Sequence, residues 1–267
     1  MSEFKRSVAY PWALTGIFAA FHFVTSMLPY TVLGTGGGFL SWGMISAPIV
    51  GFLLGPFFGT ISILIGSILN VLVFNPGEIL GPVILTLAPT SGALAAGLLR
   101  ANKPVGVIAI YLIGLIVFLI GPVGLLAYPY LWLHAITLLL VFPFVIPRTR
   151  RLLQRGLHFT KEGNPAITMF SVWLLSFIAL IADNLIGGAI GTFYYVYILV
   201  FDPTALAAIY MGIALVYPVE RIIASVIVAG VALAVGYVLA KSYFDLPVLP
   251  TRQTTIEELS EEEIQSG

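Results

Sequence analysis

The sequence predicts an all-α fold: a polytopic integral membrane helix bundle of about eight spans, with both termini cytoplasmic. Three observations lead there. Of 267 residues, 59% are hydrophobic and only 9% charged, whereas a soluble domain carries about 25% charged residues. So few charges cannot cover a water-facing surface, and the same composition excludes disorder, which needs low hydrophobicity. The apolar runs are apolar on every side, without the period-two alternation of a membrane barrel. Backbone in lipid must satisfy its own hydrogen bonds, so each run is read as a helix. The third observation is where the basic residues fall.

Eleven of the twelve Lys and Arg stand in four places: Lys5 and Arg6; Arg100 and Lys103; Arg148, Arg150, Arg151, Arg155 and Lys161; Lys241 and Arg252. Arg221 stands elsewhere. The positive-inside rule puts the four places in the cytoplasm, so an even number of crossings separates neighbouring ones. A crossing takes about 20 apolar residues, fewer for short or buried helices. The first interval divides into 10–28, 38–54, 57–74 and 82–99. The second divides into 105–126 and 130–147, broken near Tyr128 and Pro129. In the third, 165–186 goes out and 218–241 returns. Between them, 187–217 carries Gly187, Gly188, Asp202 and Pro203. It reads either as an outer re-entrant or interfacial segment or as two short extra spans.

Residues 1–247 are expected to form one transmembrane domain. Residues 248–267 read as an acidic cytoplasmic tail holding Glu257, Glu258, Glu261, Glu262 and Glu263, with Thr255 and Glu258 at capping-box spacing. The first apolar run continues without a small-residue cleavage site, so it is read as a mature span. Cys is absent, which removes disulfides, thiolate metal sites and cysteine nucleophiles.

Small residues recur at helical spacing. Gly43, Ala47, Gly51, Gly55 and Gly59 form one stripe, with Pro48 and Pro56 as bending points. Ala13, Gly16 and Ala20 share a face of the first span, Ala93, Gly97 and Ala101 of the fourth, and Ala232, Gly236 and Ala240 of the last. Such faces let helix backbones approach closely, either inside a bundle or against another membrane subunit. The first span, being chain-terminal, is the one expected to dock a subunit through Ala13, Gly16 and Ala20.

Nearly every intramembrane polar residue falls in the outer half on this topology. His22 lies beyond the midplane of its span, and Trp42 at the outer start of the second. Asn70, Asn75 and Glu78 stand at the outer end of the third, His134 near the outer start of the sixth. Asp183 and Asn184 close the seventh, where capping a helix end is one reading. Glu220 and Arg221 open the last and point about 100° apart, so snorkelling to the interface is one reading of them. Tyr194, Tyr195 and Tyr197 suit either an aromatic belt or the cover of a site. The common side implies an outward-facing polar pocket over a closed inner half. Its expected lining is drawn from His22, Trp42, Asn70, Glu78, Asp183, Asn184 and Tyr194.

Several chemistries lack their motifs. There is no GxxxxGK[ST] loop, no HExxH and no GxSxG elbow. No catalytic residue, metal site or cofactor is expected, and the chain is not read as an enzyme. The cluster 148–161 suits topology and anionic membrane lipid rather than nucleic acid, since no aromatics interleave it.

The stretch GGFLSWGMISAPIVGFLLGPFFGTISILIGSILNVLVF (37–74) resembles the second and third helices of substrate-binding S-components of energy-coupling factor transporters. There a GPxxG turn joins two Gly-rich helices, and Gly55, Pro56 and Gly59 match it. APTSGALAAGLLRAN (88–102) resembles the fourth-helix segment of the biotin-type S-components, with Pro89, Thr90 and Gly92 matching and Ser91 departing. ALTGIFAA (13–20) resembles that family's docking helix. The resemblance covers about 10–102 and implies a six-helix core to which this chain adds roughly two spans. It further implies a vitamin-like or micronutrient ligand, a transmembrane coupling subunit, and ATP hydrolysis by separate ATPase subunits in the cell membrane. A second reading is a structural or accessory subunit of a larger membrane complex.

Overall fold

The computed structural model describes residues 9–30, 40–74, 81–157 and 164–241. The described residues form nine α-helices: α1 (Ala9–Ser26), α2 (Gly43–Phe74), α3 (Pro82–Arg100), α4 (Pro104–Ile120), α5 (Trp132–Val141), α6 (Pro147–Leu157), α7 (Pro165–Phe193), α8 (Pro203–Ile213) and α9 (Tyr217–Lys241). A two-residue antiparallel pair, β1 (Pro29–Tyr30) with β2 (Leu40–Ser41), closes the link between α1 and α2. Proline opens α3, α4, α6, α7 and α8, the position where its missing N–H costs nothing.

By length and composition, α2, α3, α7 with the π turn that extends it (Tyr194–Ile198), and α9 are each apolar enough to cross a bilayer. Their outward faces match that reading. Leu72, Ile120, Leu125 and Val238 are between 67% and 81% exposed, and a soluble protein does not expose such a continuous apolar surface. The molecule is a helical membrane bundle.

One continuous helix hides a reversal. Gly55 takes φ 79° inside α2, a conformation that only glycine adopts without strain, and Pro56 follows it. A Cβ placed on Gly59 would stand 2.8 Å from Gly51 Cα. Eight residues along a straight helix span about 12 Å, so the arms 43–54 and 56–74 fold back on each other. The five small residues at spacing four therefore do not line one stripe. Gly51 and Gly59 face each other across the two arms, and a Cβ on Gly97 of α3 would reach within 2.5 Å of Pro56 N. The break at Gly55 and Pro56 falls between the segments 38–54 and 57–74 read from the sequence.

Helix α7 is the centre. Ile178, Ala179, Leu180, Ile181 and Ala182 are all fully buried, and α7 packs against α3, α4, α5, α6 and α9. It also corrects an expectation. The helix runs through Gly187 and Gly188 to Phe193, so Asp183 and Asn184 lie inside it and cap nothing. Both glycines serve packing: Gly187 lies against Ala88, and Gly188 beside Tyr130 and Tyr210. Most of 187–217 is thus the end of α7, its π turn and α8, whose 11 residues reach only about 16 Å. Asp202 caps α8. Its carboxylate accepts the Thr204 hydroxyl and the Ala205 N–H, which hold it below the usual carboxylate range.

Candidate functional site

Asp183 and Asn184 are neighbours on α7, so their side chains leave the helix about 100° apart. Asp183 faces α3. A Cβ on Gly92 would stand 3.1 Å from the Asp183 Cβ, and beside it Ser91 Oγ donates to Ala88 O at 2.7 Å and lies 3.3 Å from Ala182 O. The Asp183 carboxyl is 7% exposed, and its Oδ2 has no hydrogen-bond partner.

Asn184 faces α5. Its Oδ1 accepts the Tyr130 hydroxyl at 2.9 Å and lies 2.9 Å from His134 Nε2. Phe118, Tyr210, Tyr217 and His134 pack around the Tyr130 ring that donates to this amide. The Tyr130 ring centroid lies 4.9 Å from Tyr210, 5.0 Å from Tyr217, 5.3 Å from His134 and 5.6 Å from Phe118. Tyr217 Oη donates to Tyr130 O at 3.2 Å, and Tyr210 Oη to Gly188 O at 3.0 Å.

Arg221 follows Tyr217 by one turn of α9 and is 4% exposed. Its Nη1 reaches Met44 Sδ at 3.0 Å, while its Nε has no partner. The 3-10 turn Tyr128–Leu131 and helices α5, α7, α8 and α9 thus supply an imidazole, an amide, three phenols and a guanidinium to this part of the bundle, with the Asp183 carboxylate on the α3 side of α7. Arg221 and Glu220, both 4% exposed, are buried in the bundle rather than snorkelling out, with Arg221 held against Met44 of α2.

The chain is similar to an uncharacterized protein of Methanocaldococcus jannaschii, 27% identical over 169 residues. That match covers 62% of this chain and 53% of the relative, so the chain spans about half the length of the curated relative it matches. No family model and no solved structure matches.

The other expected lining residues sit as follows. His22 is 1% exposed between α1 and both arms of α2, with Nδ1 2.7 Å from Ser46 Oγ and Nε2 2.9 Å from Ser67 Oγ. Both ring nitrogens are engaged by the protein itself, and the ring fastens three helical segments. Trp42 precedes α2, its side chain partly exposed and its carbonyl accepting the Ile45 and Ser46 N–H groups. Asn70 is buried on the second arm of α2. Tyr194 begins the π turn, its ring lying where a Gly81 side chain would be. Glu78 and the acidic tail lie outside the described residues. Ala13, Gly16 and Ala20 all face outward, and a Cβ on Gly16 would meet nothing within 4 Å.

Tyr130, Tyr210, Tyr217 and Arg221 were not among the expected lining residues. A signal exists in their spacing. Tyr130 with His134 and Tyr217 with Arg221 are i, i+4 pairs, each presenting an aromatic and a polar group on one helix face.

Proposed function

We propose that the chain is the membrane substrate-capture subunit of an ATP-driven importer, of the S-component kind, with ATP hydrolysis by separate subunits. One observation carries the reading. Asp183 Oδ2 and Arg221 Nε are buried polar atoms without partners, in the same bundle as the aromatic cluster around Tyr130. Ionisable groups in a membrane interior are costly and mark substrate sites or partners. Groups left unpaired by their own chain are completed by something that enters.

The ligand this arrangement fits is small, with a hydrogen-bond donor edge for Asp183 and an acceptor or anionic group for Arg221. Its body packs against the rings of Tyr130 and Tyr217, as in pockets where few polar groups orient a largely apolar contact. In this reading the chain crosses the cell membrane eight times with both termini inside, and the Asp183 cluster stands in the outer half. The outward face of Ala13, Gly16 and Ala20 docks a transmembrane coupling subunit, which in turn carries the ATPases.

The test is purification in mild detergent, followed by mass spectrometry of the small molecules released on denaturation. A stoichiometric compound that rebinds the parent but binds D183N and R221Q at least tenfold more weakly supports capture. Reproducible recovery of large membrane subunits with no small molecule supports instead the accessory-subunit reading, which the same open face of α1 would serve.

A further inference from the structure

We infer that α6 carries a binding site for the phosphate headgroup of an anionic phospholipid, formed by Arg148 and Arg151. The segment Tyr128–Phe144 and α6 meet at 90°. If the former runs across the bilayer, α6 lies along its surface.

The depth of α6 follows from what it touches. Its inner face is fastened to the last turn of α3: Gln154 Nε2 donates to Leu99 O at 2.8 Å, and Arg100 Nη1 donates to Leu157 O. Arg150 Nε donates to Asn102 Oδ1 at 2.6 Å, just past that helix end. On the other side, a Cβ on Gly156 would stand 2.5 Å from Ser171 Oγ and 3.0 Å from Ile167 O, in the first two turns of α7. Contacts with the last turn of one long helix and the first turns of another place α6 at the edge of the hydrocarbon layer, where headgroups lie.

The outer face presents Arg148, Arg151, Leu152 and Arg155, all exposed. With Pro147 they line an open concavity of about 460 Å³. The spacing 148, 151 stacks the two guanidiniums along one side of a helix held rigid from behind. Arginine's planar fork matches phosphate oxygens two at a time. No Asp or Glu occurs from residue 79 to 161, so neither α6 nor its adjoining helix α5 brings a carboxylate to Arg148 and Arg151. Beside it, Phe142, Ile146 and Leu152 are 45%, 51% and 47% exposed. Water would be a poor neighbour for these three side chains; acyl chains below a headgroup are a good one. That combination selects a lipid over a soluble phosphate compound.

The experiment uses the full chain in detergent. Retention of phosphatidylglycerol and of phosphatidylcholine is measured by native mass spectrometry, for the parent, R148Q/R151Q and R148K/R151K. Each surface arginine is worth about fivefold in anionic-lipid binding, so the double Gln variant is expected to lose about twentyfold or more of phosphatidylglycerol retention. The Lys variant should keep most of it, and phosphatidylcholine should be retained by none. Melting temperatures within a degree or two of the parent separate this loss from misfolding, and the Lys variant supplies a second, charge-preserving check. Equal retention of the two lipids by the parent, or unchanged phosphatidylglycerol retention in R148Q/R151Q, overturns the site. Displacement of bound lipid by glycerol phosphate at matching concentration overturns its assignment to lipid.

Discussion

Gly92 on α3 and Asp183 on α7 meet at the limit of contact: a Cβ on Gly92 would stand 3.1 Å from the Asp183 Cβ and 3.8 Å from its Oδ2. The absent side chain is what lets a carboxylate sit between two helices that also share the Ser91 bridge. Gly92→Val fills that space with two methyl groups and forces α3 and α7 apart. Overpacking of this kind costs about 1–3 kcal/mol. The expected result is a lowered melting temperature, together with weakened binding of any ligand that uses Asp183. A Gly92→Val protein that melts and binds like the parent would show that the interface gives way freely.

The contact between α2 and α3 makes a sharper case. A Cβ on Gly51 would run into the backbone carbonyl of Ala93, which cannot move without moving α3, whereas one on Gly16 would meet nothing. Gly51→Ala is expected to destabilise by about 1–3 kcal/mol. Gly16→Ala should be neutral or slightly stabilising, since alanine is favoured over glycine in helices by about 1 kcal/mol. Thermal melts of the two variants side by side check it, and equal melting temperatures would remove the close approach of α2 to α3.

The helical, membrane-type character of the long apolar runs was legible because it rests on one-dimensional signals. Hydrophobic length, basic clusters and the Gly55–Pro56 pair each act on the chain locally, and the structure breaks α2 at that pair. The candidate site was legible only in part. Asp183 and Asn184 stand out as lone polar residues in an apolar run, but their partners do not. Tyr217 reaches Tyr130 across 87 residues of sequence, a tertiary fact that no local pattern encodes. The same holds for His22. Its isolation in an apolar helix looks like that of a ligand-binding residue, yet Ser46 and Ser67 come to it from two arms of a turn. The two glycines after Asn184 look like a helix end, but packing against Ala88 and Tyr130 makes use of their small size inside α7.

Topology can be read by labelling, because the natural chain has no Cys. Lys103, Thr149 and Thr204 are exposed, so a Cys at any of them is open to a reagent. In intact cells, a membrane-impermeant maleimide is expected to react with Thr204→Cys alone. Lys103→Cys and Thr149→Cys should react after permeabilisation, as the positive-inside placement of their neighbours requires. Labelling of Thr149→Cys from outside would invert the whole arrangement and take the Asp183 cluster to the inner side.

The amide of Asn184 is shared between the Tyr130 hydroxyl and the His134 ring, so its removal and theirs should not add. Asn184→Leu leaves a buried phenol and a buried imidazole without their common partner. Each unsatisfied buried group costs about 1–3 kcal/mol, although hydrogen bonds between membrane helices average only about 0.6 kcal/mol when both partners are replaced. Asn184→Leu is therefore expected to lower stability by about 2 kcal/mol or more, and Tyr130→Phe, which removes one donor and keeps the ring stack, by about 0.6 kcal/mol. In the Asn184→Leu background the phenol is already orphaned, so adding Tyr130→Phe should be neutral or even restore some stability. A coupling energy of about 0.5 kcal/mol or more in this double-mutant cycle, read from detergent unfolding curves, is the signature of a shared amide. Strict additivity would mean that the tyrosine is held by its aromatic neighbours alone, and that Asn184 is free to turn its amide toward a bound molecule.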